Sequence, residues 1–202
     1  MIQLKINCDK EGIEKATKVV KDGGIVVFPT DTVYGIGCDP YNKKSVDRIY
    51  QIKKRPKSKP FPVLTFSINT ATEIVDFDSD SKRIADRFWP GPLTLVLKLK
   101  DQRLKNSLNL QEKIAIRVPN SKCLLSLLKN TKFLIGTSAN NSGEDSFTNS
   151  QDCYQKITGF DLFLDGGDIK NGKESTILEM SQGEPIFHRL GALKKEEIIE
   201  TI

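Results

Sequence analysis

Short apolar runs of strand length alternate with segments of helical period along this chain, and Gly, Pro or small polar residues mark each passage between them. That pattern restricts the fold to a layered α/β arrangement. Residues 11–21 carry a helical pattern that stops at Asp22-Gly23-Gly24. The apolar run 25–28 reads as a buried strand closed by Pro29. Asn42 is placed to cap a helix with Val46, Ile49 and Tyr50 on neighbouring turns, stopped by Pro56. Residues 63–66 give a short strand, and Ser79 or Asp80 caps a helix through Phe88 that Trp89-Pro90-Gly91-Pro92 breaks. Strands follow at 93–99 and 114–118, then a helix opened by Asn120 or Ser121 and a strand at 133–135. A helix over 149–157, a strand at 162–164, a hairpin of 176–180 with 185–190, and a polar helix at 193–201 complete the pattern. With no repeat and no linker, the expectation is one α/β domain over 1–202, a mixed sheet flanked by helices.

At 202 residues the chain can bury one proper core. No stretch approaches the roughly 18 to 20 apolar residues of a membrane span. The N-terminus alternates polar and apolar residues over 3–7 and offers no signal-like apolar region, so a cytoplasmic location is expected. Cys8, Cys38, Cys123 and Cys153 form no CxxC pair and His188 is the sole histidine, which argues against a zinc site. Buried reduced thiols are the expectation for all four. The net charge of +5 suits an anionic partner without choosing between nucleotide and nucleic acid.

Three segments concentrate chemistry. PTDTVYGIG at 29–37 follows a buried strand with hydroxyls and glycines, able to approach a ligand closely; a tight turn that needs Gly35 and Gly37 for backbone reasons explains it equally well. The run 53–59 holds five basic residues in seven, beginning in the last turn of a helix. Cations there complement the helix dipole, and Arg55 as a planar fork with Lys53 as a point charge also suits phosphate oxygens. TSANNSG at 137–143 follows a strand with small hydroxyl and amide groups, as a plain turn or as hydrogen-bond donors to phosphate or carboxylate.

The order of these segments, together with WPGPLTLVL at 89–97, AIRVP at 115–119, ESTI at 174–177 and HRLG at 188–191, closely resembles the YrdC-like family of threonylcarbamoyl-AMP synthases in its compact single-domain form. The resemblance implies a twisted mixed sheet flanked by helices with a concave, basic cavity. It implies synthesis of threonylcarbamoyl-adenylate from L-threonine, bicarbonate and ATP, with release of pyrophosphate, for the threonylcarbamoyladenosine modification of tRNA. A downstream threonylcarbamoyl transferase would be the partner, and Mg²⁺ would come with ATP, with no dedicated protein metal site. Residue by residue, Lys53, Arg55, Asn140 and Arg189 match positions along the nucleotide, with Lys53 and Arg55 also catalytic. Thr30, Arg117, Ser138 and Ser175 match positions associated with threonine, Arg117 facing its carboxylate. His188 is not expected to be a base, because the following arginine is the motif residue and adjacent strand positions point to opposite faces.

Two departures stand out. Glu144-Asp145-Ser146 occupies the place where the family often has a proline, so nucleotide contact from the 144–148 loop is doubtful. The sequence also stops at Ile202, short of the linker and extra domain of longer members, so any lid that linker supplies is expected to be absent or replaced. The rival reading is an RNA-binding module that holds double-stranded RNA or tRNA on the basic concave surface, with salt-sensitive affinity and no turnover. A carbamoyl-adenylate enzyme with another acceptor, as in hydrogenase-maturation carbamoyltransferases, is a third.

Overall fold

All helices described in this chain except the last begin where a short polar side chain takes up a free backbone N–H. In the computed structural model, which describes residues 4–170 and 172–202, the elements run β1 (Leu4–Asn7), α1 (Lys10–Lys21), β2 (Val26–Phe28), β3 (Gly35–Gly37), α2 (Lys43–Ile52), β4 (Val63–Thr65), α3 (Ile68–Ala71) and β5 (Val75–Asp76). There follow α4 (Ser79–Phe88), β6 (Leu93–Leu99), α5 (Gln102–Ser107), β7 (Lys113–Arg117), α6 (Lys122–Thr131), β8 (Phe133–Ile135) and β9 (Thr137–Ser138). The last are α7 (Ser150–Lys156), β10 (Leu162–Asp165), β11 (Thr176–Ser181), β12 (Glu184–Arg189) and α8 (Lys195–Ile199). Asn42 caps α2 and Ser121 caps α6, as the sequence implies; α4 is capped one residue earlier than expected, by Asp78.

The mixed α/β architecture is present as two sheets. One has the order β1-β10-β2-β3-β9, parallel through its first three strands and antiparallel beyond. The other runs β12-β11-β6-β7-β4-β8, with β5 beside β6. Parallel pairs β11/β6 and β4/β7 sit among antiparallel ones. The sheets approach each other where β3 meets β8, through Ile135 N donating to Cys38 O at 2.9 Å. Gly37 permits this: a Cβ there would overlap the Ile135 carbonyl. Neither Gly35 nor Gly37 has a positive φ, so crowding, not turn geometry, is the reason for glycine.

One apolar core joins strands of both sheets to α2, α4 and α7; a second lies under α1 and α6 and holds Phe28, Leu124, Leu127 and Leu128. The expectation of four reduced thiols is corrected here. Cys38 and Cys153 are free and buried, but Cys8, just before α1, and Cys123, in the first turn of α6, form a disulfide with Cα atoms 5.9 Å apart, where α1 packs on α6. No helix among the described residues is long and apolar enough to cross a membrane.

Candidate nucleotide and amino-acid site

The three polar segments converge on a cavity of about 560 Å³, and all eight candidate residues line it: Thr30, Lys53, Arg55, Arg117, Ser138, Asn140, Ser175 and Arg189. Its size falls within the range of roughly 300 to 1,000 Å³ of small-molecule sites.

One wall grows from the end of α2. Lys53 is its C-cap and is only 1% exposed. The ammonium donates to Ser138 O, to Asn140 O at 2.7 Å and to Asn140 Oδ1 at 3.1 Å. Its three hydrogens are thereby committed to the 137–140 segment, which is no free turn: Ser138 pairs with Gly35 and Thr137 with Ile36 as β9. Lys53 was expected to offer a point charge to phosphate; here its ammonium braces the wall that Ser138 and Asn140 form. Burial draws its pKa down to about 8, and the nearby Arg55 acts in the same direction.

Arg55 is the cation this wall turns to the cavity. Its Nε donates to Lys59 O at 2.8 Å and Nη2 to Pro60 O at 3.3 Å, while the guanidinium lies 5.2 Å from the Phe61 ring centre. Nη1 has no protein partner among the described residues. Arg55 therefore presents one edge, not a fully free fork. Burial lowers its pKa, and Arg189 across the cavity adds to that shift. Lys57 pairs with Asp47 at 2.7 Å on the surface, outside the cavity.

The opposite wall is built from ion pairs. Arg117 donates from Nε to Gly91 O at 2.9 Å, from Nη1 to Thr32 Oγ1 at 3.2 Å and from Nη2 to Asp31 Oδ1 at 2.6 Å. Burial pushes its pKa down and Asp31 opposes that. Thr30 was expected to meet threonine, yet its hydroxyl is engaged by its own loop: it donates to Val33 O at 2.7 Å and accepts from Thr32 N and Val33 N. Thr30 shapes the loop that carries Asp31 and Thr32. Farther along, Arg189 bonds Ser175 O and Ser175 Oγ and pairs with Glu174, and Thr94 shares a hydrogen bond with Ser175. Ser138 contributes its backbone oxygen to Lys53 and lines the cavity.

A bulge in the β11/β12 pairing, where Arg189 faces Ile177 and Phe187 faces Leu178, alters the expected alternation. His188 then reaches Glu179 Oε2 at 2.8 Å while Arg189 lines the cavity, so the two share a face instead of opposing one another. His188 lies outside the cavity lining.

Sequence reasoning passed over Asp31 and Glu174, although both sit inside quoted motif blocks; a carboxylate 86 or 15 positions from its arginine carries no signal of pairing until the fold is known. Four cations and three carboxylates (Glu144, Asp145 and Glu174) line the cavity, a formal excess of one positive charge. The doubted 144–146 segment forms part of that lining.

Residues 18–191 match the Sua5/YciO/YrdC family model, described as telomere recombination. The threonylcarbamoyl-AMP synthase of Pyrococcus abyssi is 31% identical over the whole chain and 60% of its own length. That of Bacillus subtilis is 33% identical over 92% of the chain and 55% of its own length. The putative threonylcarbamoyl-AMP synthase of Methanocaldococcus jannaschii is 31% identical over 94% and 90% respectively. This chain thus spans little more than half the length of the first two. Among solved structures, a variant of P. abyssi Sua5 superposes with a TM-score of 0.93 at 30% identity, and P. abyssi Sua5 complexed with L-threonine with 0.88 at 29%. Both cover the whole chain and 60% of that protein.

Proposed function

The chain belongs to the Sua5/YciO/YrdC family, and from that premise we propose that it is a threonylcarbamoyl-AMP synthase acting on L-threonine, bicarbonate and ATP. The observation that carries this reading is the convergence of all eight candidate residues on one cavity with a phosphate-facing wall at Arg55 and an ion-paired wall at Arg117. The similarity to a P. abyssi protein complexed with L-threonine supports the amino-acid half.

The amine of threonine adds to bicarbonate, with loss of water, to give a carbamate. A carbamate oxygen then attacks the α-phosphorus of ATP, the bond to the β-phosphate oxygen breaks, and pyrophosphate leaves. The nucleophile belongs to the substrate, so the protein's contribution is orientation and charge stabilisation. Arg55 and Arg189 face the phosphates. Arg117 meets the threonine carboxylate with the hydrogens left after Asp31 and Thr32 take theirs. Lys53 holds Ser138 and Asn140 in place. Apolar Phe28, Val33, Leu64 and Ile177 line the cavity among these polar groups.

Mg²⁺ enters with the nucleotide as part of the substrate. Glu174 is engaged by Arg189 and Ser146, and Glu144 by Asn141, so these side chains do not make a resident cation site. The adenylate then passes to a transferase that moves the threonylcarbamoyl group to tRNA, in the cytoplasm. An excess of one positive charge in the cavity is a weak footing for the RNA-binding alternative. The test is pyrophosphate release: it requires threonine and bicarbonate together, and equal release without threonine would refute the substrate assignment.

A further inference from the structure

Arg189 is held to the sheet whichever anion it meets. Nε donates to Ser175 O at 2.9 Å and Nη2 to Ser175 Oγ at 3.0 Å, so only the Nη1 side depends on Glu174. The other oxygen of Glu174, Oε1, accepts from Ser146 Oγ at 2.9 Å. One carboxylate therefore joins a cavity cation to the segment 141–146.

That segment is a strap along the cavity. At one end Ser142 N donates to Lys53 O at 2.9 Å and Asn140 Nδ2 to Glu144 O at 2.5 Å. At the other, Tyr34 N donates to Phe147 O at 2.8 Å. Between Glu144 and Phe147, the Ser146–Glu174 bond is the strap's one side-chain hydrogen bond among the described residues. Gly143 sits at φ +93 with open space around it, a pivot that a side chain would strain. The strap presents Glu144 and Asp145 to the same cavity. A polyphosphate entering there meets three carboxylates, the open edge of Arg55 and an edge of Arg189 that a carboxylate already occupies.

We propose that Glu174 is an exchangeable counter-ion of Arg189: nucleotide phosphate displaces it, and the displacement unlatches the 141–146 strap. This rests on the nucleotide site proposed above. Glu174 is a positioning residue in this scheme, keeping Arg189 neutralised and the strap closed until phosphate arrives.

The experiment uses an ATP analogue with a methylene between the α- and β-phosphates and a glutamate-specific protease, with the fragment ending at Glu144 read by mass spectrometry. Saturating analogue should speed cleavage after Glu144 about fivefold, the release of one partly exposed ion pair of about 1 kcal/mol. In Glu174→Gln, cleavage should be fast without analogue, and calorimetric affinity for the analogue should rise about fivefold because Arg189 has lost its competitor. Glu174→Asp should restore the dependence on analogue. Ser146→Ala should cleave fast with or without analogue, and because the coupling is reciprocal its affinity for the analogue should rise by no more than that same factor. Binding of analogue with unchanged or slower cleavage overturns the latch alone, as does weaker binding by Glu174→Gln. Absence of analogue binding by the wild type brings down the nucleotide site and the latch together.

Discussion

Lys53 and Arg189 both line the cavity, but they meet different kinds of partner. Lys53 is enclosed and gives its hydrogens to neutral oxygens of Ser138 and Asn140. Arg189, like Arg117 beside it, is partly exposed or buried against a carboxylate. A cation on neutral acceptors keeps its charge and sets the shape of a wall; a cation on a carboxylate holds its field in reserve until another anion competes. The same residue type therefore does not imply the same role, and the difference can be broken experimentally.

Lys53→Met should have the largest effect on stability. It strands three oxygens in a water-poor wall, which should cost about 3 kcal/mol or more by urea denaturation and end product formation. Full stability with lost activity would instead make Lys53 a phosphate ligand and erase the contrast. Asp31→Asn should cost about 2 kcal/mol, because it leaves Arg117 buried beside a neutral amide. Here KM for threonine should rise more than KM for ATP; an equal rise in both would remove the link between Arg117 and the amino acid. Arg55→Ala should change stability by less than about 1 kcal/mol, since its two hydrogen bonds go to backbone carbonyls at the surface and its remaining contact is the Phe61 ring. Pyrophosphate release should nonetheless be abolished, and normal turnover would take the phosphate role from it.

The smallest effect is a pH slope. Folding lowers the Lys53 pKa from 10.5 to about 8, so between those values the folded chain binds fewer protons than the unfolded one. This group makes stability rise with pH across that window. The urea midpoint of the wild type relative to Lys53→Met should climb from about pH 8 to 10.5; a decline would mean that the three oxygens hold the ammonium's pKa up against burial.

Long or strongly capped elements could be read directly. The helix capped by Asn42, the strand Leu93–Leu99 and the hairpin of β11 and β12 all lie where periodicity and punctuation place them. Short strands that are continuous apolar runs, β2, β4, β8 and β10, were legible too, but β3 and β9 escaped because their small and polar residues show neither an apolar run nor a period; their pairing is settled by Gly35, Gly37 and contacts distant in sequence. At the site, the cations and hydroxyls were legible as motifs, but their partners were not. Asp31 and Glu174 acquire meaning only when the fold sets them against Arg117 and Arg189, and the Cys8–Cys123 bond spans 115 positions. The bulge that brings His188 and Arg189 to one face likewise has no mark in the local pattern.

The central claim is that this cavity joins threonine, bicarbonate and ATP. Incubation with labelled bicarbonate, followed by mass spectrometry of the nucleotide products, tests it most directly. The account predicts a threonylcarbamoyl-adenylate carrying the label, formed with pyrophosphate and absent when threonine is left out. Pyrophosphate release with no labelled adenylate would contradict it.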